Sequence, residues 1–318
     1  MKNAPSPSSV TSTEKSALAI AAAVIAFFCV LAFVAAPARA EPLTPDLAKF
    51  NSADGTPLTA WVYRSDSPVS KGSVVALHGC GGLYARMGSR KGLINARSQA
   101  MAEMLVEQGY TVIYPDSMGP RGETEVCTER IADRKINLNH RRADALATMG
   151  WVATQPWAEV DRIALLGWSF GGSAVLAATD AKHKDVARHA VTPAVAIAFY
   201  PGCGVAMKSR YQPNAPLVML LGEKDDWTPP EACKVLGKSV GADVKVYPGA
   251  HHDFDNPTGG VLLRKDVPNE AQGGQGVHAG RDPAAREQSY AYLRQVLRKA
   301  FTTPPAAAAA AVVPTNNR

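Results

Sequence analysis

The chain has 318 residues, 46% of them hydrophobic and 19% charged, with a formal net charge of +6. That balance suits one large globular domain or two small ones. The mild basicity includes no cluster dense enough for a nucleic-acid surface, and no C-x-x-C, H-E-x-x-H or EF-hand spacing marks a metal site.

The first forty residues stand apart. Lys2 and Lys15 precede an uncharged apolar stretch over 17–36, which ends in Pro37-Ala38-Arg39-Ala40. A positive start, an apolar core and an A-x-A site predict a secretory signal cleaved after Ala40, and hence an exported protein, periplasmic or secreted. As a helix the stretch would be about 30 Å long, so an uncleaved membrane anchor is the alternative. Ala26-Phe27-Phe28-Cys29 lacks the small residue expected before a lipidated cysteine. Lys2, Lys15, Arg39 and Glu14 together carry +2, so cleavage leaves the formal charge at +4. It also leaves Cys80, Cys127, Cys203 and Cys233, an even number for an oxidising compartment. Their spacing does not choose among the three possible pairings or exclude four reduced thiols.

Along the predicted mature domain, 41–301, short β-rich runs alternate with helical patterns. Strands are predicted at 58–64, 73–77, 111–114, 162–166, 194–200, 217–221 and 244–247. Helices are predicted at 96–108, 141–154, 172–179, 231–240 and 283–301. Runs such as Val74-Val75-Ala76-Leu77 and Val218-Met219-Leu220-Leu221 are apolar without alternation, as in a parallel sheet covered on both faces. The order therefore predicts an α/β domain with right-handed crossovers. The alanine- and proline-rich segment 302–318 lacks apolar periodicity and is expected to be an extension outside the domain.

Ligands of such sheets bind beyond the carboxyl ends of the strands, so chemistry is sought there. The run Arg162-Ile-Ala-Leu-Leu-Gly-Trp-Ser-Phe-Gly-Gly172 carries an apolar strand into Gly-x-Ser169-x-Gly and then into a helix, the context of a nucleophile elbow. A serine hydroxyl needs a base to take its proton. Of seven histidines, His78 and the pair His251-His252 lie just past predicted strands. His252 is the expected base, with His251 its competitor. His183, His189 and His278 read as loop histidines. A carboxylate must orient the imidazole, and Asp225 or Asp226 follows the strand at 217–221; either aspartate is also suited to capping the helix after Pro229. The oxyanion needs two donors: the N–H of Phe170, and one from His78-Gly-Cys-Gly-Gly82, where Cys80 is expected ahead of Gly81. His78 itself is expected to be structural.

Five segments together give a resemblance: Leu77-His-Gly-Cys-Gly-Gly-Leu83, Asp116-Ser-Met-Gly-Pro-Arg-Gly122, Gly167-Trp-Ser-Phe-Gly-Gly172, Gly222-Glu-Lys-Asp-Asp-Trp-Thr-Pro229 and Tyr247-Pro-Gly-Ala-His-His-Asp-Phe254. In this order they resemble the dienelactone hydrolase family over roughly residues 50–300. The resemblance implies an α/β-hydrolase fold, with a mostly parallel central sheet and helices on both faces, and cofactor-free hydrolysis of ester-type bonds. By position it makes Ser169 the nucleophile, Asp225 the acid and His252 the base. Dienelactone hydrolases proper carry cysteine at the elbow, where this chain has serine. The resemblance also implies bridges Cys203–Cys233 and Cys80–Cys127, each joining loops at neighbouring strand ends. Arg121 is a candidate contact for a substrate carboxylate. Tyr84, Trp168, Phe170, Tyr200 and Trp227 are candidate pocket aromatics.

These readings converge on an exported serine hydrolase cleaving a carboxylic ester or lactone through an acyl-enzyme. The expected partner is a small molecule, with no cofactor, metal or nucleic acid. The alternatives are a peptidase and a catalytically silent hydrolase fold used for binding.

Overall fold

Five apolar runs make the centre of the sheet. β3 (Ser73–Leu77), β4 (Thr111–Asp116), β5 (Ile163–Trp168), β6 (Val195–Phe199) and β7 (Leu217–Gly222) are buried along their whole lengths. A strand does this only when both faces of its sheet are covered. These elements come from a computed structural model, which describes residues 43–65, 70–268 and 276–302 together with Met1 and Gly274. The apolar stretch at 17–36, the predicted cleavage site and the tail beyond Thr302 lie outside the described residues. Among the described residues no helix is long and apolar enough to cross a membrane.

The sheet has eight strands in the order β1-β2-β4-β3-β5-β6-β7-β8, with β1 (Asp46–Asn51), β2 (Pro57–Tyr63) and β8 (Asp243–Tyr247) completing it. The first two pairings are antiparallel and the remaining five parallel. This is the expected α/β-hydrolase architecture. Alternation along the strands splits the core in two. Val74, Ala76, Val112 and Leu166 face α1 (Ala96–Glu107) and the last helix, Pro283–Thr302. Val75, Leu77, Ile113 and Leu165 face α2 (Leu138–Ala153), α3 (Phe170–Ala178) and the helix Pro230–Val240. Two short helices, α4 (Lys184–Arg188) and α5 (Gly204–Ser209), precede Pro230–Val240, which is therefore α6, and Pro283–Thr302 is α7.

Three elements differ from expectation for local reasons. β1 reads Asp-Leu-Ala-Lys-Phe-Asn and is largely exposed, so it carries no continuous apolar run; its pairing with β2 makes it a strand. α2 begins three residues before its predicted start, because Asn137 and His140 form a reciprocal capping box. A second hairpin, β9 (Leu262–Arg264) with β10 (Val277–Ala279), was not anticipated. It joins the main body through a bridge between Ala279 and His252 and through the Gly280 N–H donating to the His252 carbonyl at 2.8 Å.

Candidate active site

Ser169, Asp225 and His252 follow β5, β7 and β8, at the carboxyl end of the sheet. Ser169 has φ 53° and ψ −116°, a conformation that L-residues hold only when the surroundings impose it. Those surroundings are tight. A Cβ on Gly171 would collide with the Leu77 carbonyl oxygen, so only glycine lets α3 start this close to β3.

His252 spans the other two residues. Its Nε2 lies 2.9 Å from Ser169 Oγ and its Nδ1 2.7 Å from Asp225 Oδ2. With the Nδ1 proton donated to the carboxylate, Nε2 is left to accept from the serine hydroxyl. His252 and Asp225 are both buried, and their loops are laced together: the Glu223 N–H donates to the Tyr247 carbonyl and the Lys224 N–H to the Ala250 carbonyl. Asp225 Oδ1 accepts from the N–H groups of Trp227 (3.0 Å) and Thr228 (2.9 Å). The Asp225 carboxylate is thus held in a turn of its own loop. It does not cap α6, whose N-cap is Pro229 with no side-chain bond. Asp226 faces away, toward His278, with Oδ2 2.7 Å from Nδ1. His278 is therefore no isolated loop histidine.

The segment 78–82 lies against the elbow, since a Cβ on Gly79 would stand 3.7 Å from that of Ser169. Two buried side chains hold it. His78 Nδ1 sits 2.8 Å from the Gly79 carbonyl, while its Nε2 lies 3.0 Å from Arg141 and 3.3 Å from the Ser117 N–H. Arg141 also donates to the His78 carbonyl at 2.5 Å. Burial, reinforced by the Arg141 charge, pushes the His78 pKa well below its ordinary 6.5. His78 is thus the neutral Nδ1–H tautomer, consistent with its expected structural place. Burial also lowers Arg141 to about 10. Cys80 and Cys127 lie at disulfide distance, with sulfurs 2.05 Å apart, as do Cys203 and Cys233 at 2.00 Å. The first pair ties the 78–82 segment to the loop before α2, and the second ties the loop after β6 to α6.

Ser169 opens into a cavity of about 210 Å³ that also exposes Cys80, Phe170, Trp227 and Thr228. The Trp227 ring packs 4.8 Å from that of His252. Ile131, Arg134, Asn137 and Leu138 form another wall. Sequence reading missed these four, because the segment leading into the first residue of α2 has no apolar period and no motif. Thr228 was missed as well; its hydroxyl lies 3.0 Å from Asp225 Oδ2 and 3.1 Å from His252 Nδ1.

Four expected substrate contacts are placed elsewhere. Trp168 is 0% exposed and its Nε1 donates to Asp255 at 2.8 Å. Tyr200 is 1% exposed; its hydroxyl donates to Asp255 and accepts from Arg97, and burial raises its pKa well above 10. Both side chains support the site from below. Arg121 is bound to both Asp144 oxygens and to Asp54. Tyr84 accepts from Trp61 and borders a different cavity, with Arg97 and Asn256. Position just after a strand does not specify which way a side chain turns.

The sequence profile of the dienelactone hydrolase family matches residues 58–301. The chain belongs to that family. Family membership makes it a hydrolase acting on ester bonds. Among curated proteins none matches the chain. A dienelactone hydrolase-like promiscuous phosphotriesterase, P91, from metagenomic libraries is similar in fold at 18% identity, covering 80% of this chain and 98% of its own, with a TM-score of 0.55. Esterase 2 of Thermogutta terrifontis, solved phosphoramylated by tabun, is 17% identical over 83% of this chain and 98% of its own, with a TM-score of 0.53. Dipeptidyl peptidase 4 of Porphyromonas gingivalis is 16% identical over 80% of this chain but only 35% of its own, with a TM-score of 0.52. At such identities these likenesses concern the fold.

Proposed function

We propose that this dienelactone hydrolase family member is an exported serine hydrolase that cleaves a carboxylic ester or lactone through an acyl-enzyme on Ser169. The observation that carries the reading is the continuous series Asp225 Oδ2, His252 Nδ1, His252 Nε2, Ser169 Oγ, with steps of 2.7 and 2.9 Å. His252 takes the hydroxyl proton on Nε2 as Ser169 Oγ attacks the carbonyl carbon. Asp225 stabilises the imidazolium without taking its proton. The N–H groups of Phe170 and Cys80 receive the oxyanion; each such donor contributes about 10²–10³ in rate. The tetrahedral adduct collapses as Nε2–H protonates the leaving alcohol, which stays attached to the acyl group if the substrate is a lactone. His252 then deprotonates a water that attacks the acyl-enzyme and releases Ser169 with its proton restored.

Export is supported by the predicted signal at 1–40 and by the two cysteine pairs at disulfide distance, since such bonds persist in oxidising compartments. The ester reading is favoured over a peptidase because the family whose profile matches residues 58–301 acts on ester bonds.

The test is labelling of the chain lacking residues 1–40 with a fluorophosphonate probe, which bonds an activated serine oxygen to phosphorus and expels fluoride. The parent is expected to label, and Ser169→Ala and His252→Ala are not. A folded parent that stays unlabelled overturns the proposal.

A further inference from the structure

Next to the triad residues, but not among them, three metal-ligating groups converge. Asp226 comes from the loop after β7, His251 from the loop after β8 and His278 from β10. One ligand atom from each lies within 4.8 Å of the others. The His251 and His278 rings are 5.3 Å apart. Both oxygens of Asp226 face His278: Oδ1 accepts its backbone N–H at 2.8 Å, and Oδ2 lies 2.7 Å from Nδ1. His251 Nδ1 is buried and has no hydrogen-bond partner. An unmet buried nitrogen carries a desolvation cost that calls for an explanation.

We propose that Asp226, His251 (through Nδ1) and His278 bind a zinc ion, with a water completing the coordination. Two imidazoles and one carboxylate suit a tetrahedral, borderline-soft cation. Calcium and magnesium require six or more oxygens, or a hydrated octahedron, which this donor set does not supply. Zinc bonds of about 2.0–2.1 Å place tetrahedral ligand atoms about 3.4 Å apart. The Asp226–His278 pair opens to that from 2.7 Å and the wider separations close to it by small rotations, chiefly of His278, whose side chain is 46% exposed. The ligands come from two loops and a strand far apart in the chain, so no short spacing announces them in the sequence.

The ion would pin the β9–β10 hairpin to the loops that carry Asp225 and His252. Gly280 already bonds the His252 backbone, and Arg264 of β9 lies over the Trp227 ring at 5.3 Å. Zinc is thus a clamp on the outer side of the site, not a participant at Ser169. Binding does not depend on hydrolysis, so the two proposals fail separately.

The experiment is calorimetric titration of the untagged, EDTA-treated protein with zinc chloride, with thermal melts alongside. One zinc per chain is expected, with a Tm rise of about 5 °C at a hundredfold excess over Kd. His278→Ala and His251→Asn should each weaken binding by more than about tenfold, while calcium and magnesium leave Tm unmoved. Circular dichroism of His278→Ala checks that this variant is folded. Absence of saturable zinc binding overturns the proposal. So does binding that survives in His278→Ala but disappears in His252→Ala, which would put the ion on the triad.

Discussion

At Ser169 the backbone is held in the left-handed half of φ space, and the hydroxyl is presented to a histidine whose other nitrogen is already committed to a carboxylate. Two adjacent aspartates have been given different partners, Asp225 to His252 and Asp226 to His278. Asp225→Asn should therefore lower kcat by about 10⁴, since it reverses the tautomer preference of the base, whereas Asp226→Asn should change it less than about tenfold. Steady-state kinetics on p-nitrophenyl acetate separates the two, and the opposite ranking would move the acid to Asp226. His78 gives a pH signature. Its folded pKa lies well below 6.5 because it is buried beside Arg141, so below about pH 6.5 the unfolded chain binds a proton that the folded chain does not. Stability should fall as pH drops from about 6.5. Denaturant titrations from pH 7.5 to 5 should show this slope, and His78→Asn should flatten it.

The elements around the site are fixed to one another at few points. The 78–82 segment depends on His78 and Arg141, on the Cys80–Cys127 pair, and on the Val126 N–H donating to the Cys80 carbonyl. Replacing both cysteines by serine should cost about 2–4 kcal/mol of stability. On the proposed function it should also lower kcat more than it raises KM, because the oxyanion donor proposed at Cys80 would act on the transition state. Calorimetry and kinetics of the double variant test both parts; an unchanged kcat would show that His78 and Arg141 hold the segment without the bridge. Where β5 enters α3 the constraint is steric. Gly171→Ala should remove activity and lower Tm, because the new methyl would collide with the backbone carbonyls of Leu77 and His78, which cannot step aside as a flexible side chain would.

For the molecule as a whole, the proposed function makes the cavity at Ser169 the substrate space, and that cavity is small. A cavity of about 210 Å³ at Ser169 lies below the roughly 300–1,000 Å³ of sites for drug-sized ligands. Short acyl groups should therefore be preferred. Across p-nitrophenyl esters, kcat/KM is expected to peak at two to four acyl carbons and to fall at least tenfold by eight. A flat or rising series would mean that the chain lies outside this cavity. Export can be read on the intact protein: N-terminal sequencing of the secreted or periplasmic form should begin at Glu41, and a retained Met1 would favour the membrane anchor.

Much of this is legible in the sequence, for a physical reason. The five central strands are continuous apolar runs, and a glycine-bounded serine at the end of one of them has few other conformations available. The sequence thereby determined the parallel sheet, the elbow and the candidate base, all features encoded within a dozen neighbouring residues. The resemblance to a family pointed to Asp225, and that aspartate is the one beside His252 Nδ1. What only the tertiary structure decided depends on direction and on distant partners. Trp168 and Tyr200 turn inward to Asp255, because a buried carboxylate draws their donors. Arg121 is spent on Asp144, 23 residues away. The wall from Ile131 to Leu138 and the meeting of Asp226, His251 and His278 exist only because segments far apart in the chain are brought together at one end of the sheet. A side chain's partner across the fold leaves no period and no spacing in the chain.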